Sequence, residues 1–75
     1  MFGFHQGYPF AETVIVNTKT KISFRGVLWS QKGGFLVLRN AELLKGKSEA
    51  TTIDGEVLID RANIDFMQVI ARGVL

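Results

Sequence analysis

The chain has no cysteine, one proline and one histidine in 75 residues. Without cysteine, disulfide bonds and thiolate metal sites are excluded. With His5 alone, no histidine pair can hold a metal within one chain, so no cofactor is expected. No apolar run approaches the roughly 20 residues that a membrane-spanning helix needs. Residues 1–10 lack the charged start and apolar centre of a signal peptide, so a soluble, cytoplasmic protein without membrane contact is expected. An excess of charge is also missing: the formal net charge is +2 although the pI is near 9.3. That excludes a histone-like polybasic surface, and any nucleic-acid binding must use local patches. Length is short as well. A chain this small buries only roughly 60% of its unfolded surface, which leaves a lone core marginal. With metal and disulfides excluded, oligomerisation is the aid that remains.

What is present favours a folded chain: 47% of residues are hydrophobic, 21% are charged, and eight are glycine. The apolar positions recur with a period of two and are rich in β-branched and aromatic types, which reads as all-β. Thr13 to Asn17 forms a first strand, closed by the polar turn Thr18-Lys19-Thr20. Lys21 to Ser30 alternates, with Ile22, Phe24, Gly26 and Leu28 on one face. Its far end turns apolar at Val27 and Trp29, which predicts a cover there from the aromatic N-terminus. Gly33-Gly34 marks a hairpin turn. Phe35 to Leu38 is apolar on both faces, as a strand buried on two sides would be, and a second turn centres on Gly46. Thr51 to Asp60 and Ile64 to Ala71 complete five strands. Five short strands with short links predict a small, strongly bent antiparallel barrel over residues 13–75. Gly26 and Gly55 are the positions where a strand could bend sharply or admit another backbone. Residues 1–12 read as an ordered aromatic arm with at most one helical turn.

Catalytic chemistry is poorly supplied. A nucleophilic hydrolase needs a nucleophile, a base and an orienting carboxylate together, yet the one histidine sits in the glycine-flanked arm. Asp54, Glu56 and Asp60 fall on the polar side of a strand, as a solvated face would place them. Gly33-Gly34 lacks the Lys-Ser/Thr of a phosphate loop. The chain is therefore expected not to be an enzyme. Nucleic-acid binding by a β module needs cations for phosphates and flat side chains for bases. Lys19, Lys21, Arg25, Lys32 and Arg61 supply the first, and Trp29 and Phe35 the second. The same residues equally suit solubility and packing.

Taken in order, these features resemble the Sm-like (LSm) family. One stretch that carries the likeness runs from Val14 to Glu42: a polar hairpin, then Arg25-Gly26-Val27-Leu28, then Gly34-Phe35-Leu36-Val37-Leu38-Arg39-Asn40-Ala41-Glu42. The other is Gly55-Glu56-Val57-Leu58-Ile59-Asp60-Arg61-Ala62-Asn63-Ile64. The resemblance covers about residues 13 to 70. It implies a bent five-stranded barrel, a homo-oligomeric ring of about five to seven copies, and single-stranded RNA bound at the pore or face. Ring closure in the family pairs the fourth strand of one subunit with the fifth of the next. Both are apolar and free of proline and lysine here. The candidate RNA site in this chain is Lys32, Phe35, Arg61 and Asn63, although Asn63 could equally cap the turn into the last strand.

Departures from the family pattern bear on function. Its Asp, stacking residue and uracil-reading Asn are replaced by Lys32, Gly33 or Gly34, and Phe35, and its Arg-Gly by Asp60-Arg61. A phenyl ring cannot form the amide hydrogen bonds that specify a base, and a carboxylate repels phosphate. The uridine pocket is thus not carried over intact, and the Lys-His signature of the bacterial branch is missing. The alternative to RNA binding is a ring-shaped structural or protein-interaction module. In it the arm's Phe2, Phe4, Tyr8 and Phe10 would dock on a neighbour or partner.

Overall fold

The computed structural model describes residues 4–5, 7–46 and 48–70. Eight strands occur in chain order: β1 (Phe4–His5), β2 (Tyr8–Pro9), β3 (Thr13–Thr18), β4 (Ser23–Lys32), β5 (Phe35–Lys45), β6 (Glu49–Thr52), β7 (Val57–Asp60) and β8 (Ile64–Val69). A 3-10 turn, Arg61–Asn63, links β7 to β8. All pairings are antiparallel. The main sheet runs β6-β5-β4-β3-β8, with β7 also paired to β5. No helix of the described residues is long and apolar enough to cross a membrane.

The bend of the sheet comes from one local mismatch. Arg25 is opposite Glu42 but Val27 is opposite Arg39, so Gly26 faces two residues, Asn40 and Ala41. Asn40 takes φ 53°, a left-handed conformation that asparagine tolerates better than most side chains. Gly26 must lack a side chain here: a Cβ would lie 3.0 Å from the Arg39 carbonyl oxygen and 3.1 Å from Ala41 Cα. This is the close backbone approach expected of a glycine inside a strand. The bend divides β5 into two halves. Its first half pairs with β7 (Phe35 with Asp60 through Leu38 with Val57), and its second with β6 (Glu42 with Thr52 through Lys45 with Glu49).

The expected continuous strand from Thr51 to Asp60 is therefore two strands. Following both halves of a bent partner requires a break, which falls at residues 53–56, with Gly55 at φ 80°. Strand β5 also runs on to Lys45, into the segment expected to turn. The last strand ends at Val69, and Ala71 lies outside the described residues.

Val14, Val16, Leu28, Leu36, Leu38, Ala41 and Ile59 form the core. Val37 alternates with Leu36 and Leu38 and so points to the other face, yet it too is fully buried. The two-sided burial read from the sequence holds at that position. Thr18 is the buried polar side chain: its hydroxyl accepts from Ile22 N at 3.1 Å and donates to Ile22 O at 2.7 Å, closing the first hairpin.

The N-terminal segment differs from expectation in two ways. Instead of a helical turn, β1 pairs with β2, and a turn follows with Glu12 N donating to Pro9 O at 3.2 Å. Its described residues also leave Trp29 half-exposed. The segment joins the sheet through the backbone of Leu28, with Ala11 N to Leu28 O at 2.7 Å and Leu28 N to Glu12 O at 3.0 Å. Trp29 sits at a second register shift, between Leu28 and Ser30, where the extra residue swings outward. It is 48% exposed, and its cover is the Arg39 guanidinium, 4.0 Å from the ring centroid. Phe2 and the side chain of Phe4 lie outside what is described.

Candidate nucleic-acid interface

Two turns meet at one end of β5. The hairpin between β4 and β5 pairs Lys32 with Phe35 across Gly33 and Gly34, and Phe35 is also opposite Asp60 at the end of β7. Arg61 N donates to Gly34 O at 2.9 Å, which ties the 3-10 turn to the glycine turn. Lys32, Phe35 and Arg61 are thereby brought to one place. Phe35 is 41% exposed, and Lys32 is exposed with its Nζ 4.0 Å from Glu56 Oε1. Glu56 also accepts from Arg39 Nε at 2.9 Å, so one carboxylate serves two cations. Exposed pairs of this kind are held weakly, and Lys32 is free to exchange Glu56 for another anion.

Asp60 stands where the family pattern would have a cation, and it has a local task. Its Oδ1 accepts from Ala62 N at 2.9 Å, capping the 3-10 turn. Asn63 does not perform that cap, and it does not join the other three residues. Its Nδ2 donates to Thr20 Oγ1 at 3.3 Å and its carbonyl accepts from Lys19 N at 2.7 Å. The Asn63 side chain lines a separate small cleft of about 200 Å³, with Thr18, Thr20, Ile22 and Leu58 among its walls. Arg25 is likewise committed, its Nε donating to Glu42 Oε1 at 3.0 Å.

Sequence reasoning gave Tyr8 to a docking arm and did not place it beside Arg61. Its ring lies 5.7 Å from the Arg61 guanidinium carbon, and its other close ring contact is Phe10, at 5.9 Å and 56°. Tyr8, Gly34, Asp60, Arg61, Ile64 and Met67 are among the residues lining an open cleft of about 600 Å³ beside the joined turns. The aromatic character of the arm was visible in the sequence, but nothing there sets which of its rings reaches Arg61. Among the described residues, no cluster of three or more histidine or acidic side chains could hold a metal.

No protein-family model matches the chain, and no curated protein matches it in sequence. Among solved structures, it is similar to the SmAP1 heptamer of P. aerophilum, with a TM-score of 0.73, 20% identity and 84% of each chain covered. A heptameric archaeal Sm protein gives a TM-score of 0.72 at 21% identity, covering 83% of this chain and 90% of that one. A chain of the NatC complex bound to CoA gives 0.69 at 21% identity, covering 81% and 78%.

Proposed function

We propose that this chain, whose fold is that of the Sm-like barrels, closes into a homo-oligomeric ring of about five to seven copies that binds single-stranded RNA without catalysis. The observation that carries the ring is the open edges at β7 and β8. Among the described residues, β7 pairs with β5 alone and β8 with β3 alone. Both strands expose large apolar side chains: Leu58 is 49%, Phe66 55% and Val69 49% exposed. Edges without lysine or proline are suited to pairing with another chain. Pairing β7 of one copy with β8 of the next would satisfy both edges at every interface and close by symmetry. The two heptameric neighbours support this reading.

The RNA reading rests on Lys32, Phe35 and Arg61, which a ring would repeat once per subunit. RNA processing in the cytoplasm is the setting it implies. Native mass spectrometry with and without a short U-rich RNA tests both parts. A ring taking up RNA at fixed stoichiometry is expected, with K32E/R61E weakening binding and flattening its salt dependence. A monomer would overturn the ring, and a ring unaffected by the double substitution would overturn the site.

A second reading, a protein-interaction module, draws support from exposed Trp29 and Leu58 and from the occurrence of this fold within the NatC complex. It predicts that deleting residues 1–10 abolishes partner binding or assembly while RNA has no effect.

A further inference from the structure

We infer that the Tyr8–Arg61 cleft is a stacking subsite that grips one nucleotide of a single strand without reading which base it is. The inference rests on the RNA reading above and specifies its ligand chemistry. The cleft offers three things. Tyr8 presents an aromatic ring, steadied by its contact with Phe10 at 5.9 Å. Ile64 and Met67 supply an apolar wall that favours the flat body of a base over a hydrated sugar. Exposed Arg61 supplies five N–H donors on a planar group at the mouth.

Base identity is read by fixed donors and acceptors matched to a base edge. Here, apart from one oxygen of Asp60, those are already engaged or point elsewhere. The Gly34 carbonyl receives Arg61 N at 2.9 Å, and Asp60 Oδ1 receives Ala62 N at 2.9 Å. The cleft lining includes no side-chain amide, because Asn63 is turned to Thr20 on the other side of the 3-10 turn. What is left is a π face, which every base can use, a guanidinium, which every phosphate can use, and the second oxygen of Asp60, a lone acceptor that cannot by itself match a whole base edge. Arg61 is held over Tyr8 only loosely, at 5.7 Å, so a base can take the ring while the guanidinium moves to the phosphate. The backbone bond to Gly34 keeps the arginine at the cleft as its side chain moves.

The test is fluorescence anisotropy of the full chain with end-labelled 12-nucleotide U, C and A homopolymers across a salt series. The expected result is affinities within about threefold of one another, since stacking varies little with base. Tyr8→Leu keeps the apolar bulk and removes the ring. It is expected to weaken all three about tenfold, the lower part of the range for losing one stacked base, and Tyr8→Phe to restore most of that loss. Arg61→Ala should lower the salt slope by about one. Circular dichroism of each variant separates a binding loss from unfolding. A preference above tenfold for one homopolymer would overturn base-blind gripping while leaving RNA binding intact. Equal binding by wild type and Tyr8→Leu would place the nucleotide elsewhere. Absence of binding to every homopolymer would overturn the RNA reading itself, and this inference with it.

Discussion

The bent middle of β4 and β5 and the open edges at β7 and β8 are built from the same kinds of residue but end in different states. At the bend, Leu28, Leu38 and Ala41 are fully buried by partners within the chain. At the edges, Leu58, Phe66 and Val69 keep about half their surface in water. Burial completed within the chain specifies the subunit, whereas burial left incomplete leaves free energy for association, on the order of 1 kcal/mol for each half-exposed side chain. The bend should therefore break folding and the edges should break assembly.

The largest effect is expected at the bend. In G26V the new Cβ meets the Arg39 carbonyl and Ala41 Cα at 3.0 and 3.1 Å, and both are backbone atoms with little room to yield. Overpacking of this kind costs about 1–3 kcal/mol or more, a large share of the roughly 5 kcal/mol that so small a domain has. Circular dichroism should show the cooperative melt lost or lowered by tens of degrees. A native-like melt would mean the bend does not depend on this contact.

Next comes L58D/F66D, which places a charge on each open edge. A folded monomer is the expected product, seen by light scattering after size exclusion, with the strand signal retained. If the assembly survived, the edges would not be the interface; if the subunit unfolded, edge and core would not be separable.

E42Q is expected to be milder. It weakens the Arg25 contact that joins β4 to β5 just beside the bend, where the two side chains are 43% and 34% exposed. Solvent screening limits the loss to about 0.5–1 kcal/mol, smaller again in high salt, measurable by urea denaturation. N63A should do least. It removes one exposed bond of 3.3 Å to Thr20, a change of about 0.5 kcal/mol, and is expected to leave RNA affinity unaltered. A tenfold loss of affinity would return Asn63 to the site.

Much of the fold was legible because period-two alternation records which face is buried. The core positions Val14, Val16, Leu28, Leu36 and Leu38 follow from it directly, and Gly26 announced the bend by interrupting an alternating strand. The break at residues 53–56 was legible only as a bend at Gly55; that pairing stops there follows from the bend in β5, since Thr51 to Asp60 alternates on either side of it. Trp29 was misassigned for a similar reason: a register shift moves the ring outward to Arg39, and register is a property of a strand pair. The site was half legible. Lys32, Phe35 and Arg61 are joined by one backbone bond between two turns, which the order of motifs suggested. Asn63 and Tyr8 were beyond reach, because a single turn decides which way Asn63 points, and the place of the arm depends on its contact with Leu28.

By itself, then, the sequence determined the all-β class, the absence of thiol chemistry and most of the strand faces. Side-chain type and periodicity act locally, and each strand carries them wherever it lies. Only the tertiary structure decided where β5 bends, that its partner splits in two, which ring meets Arg61, and which edges stay open. Those outcomes arise from pairs of segments far apart in the chain, whose register and approach no single segment encodes.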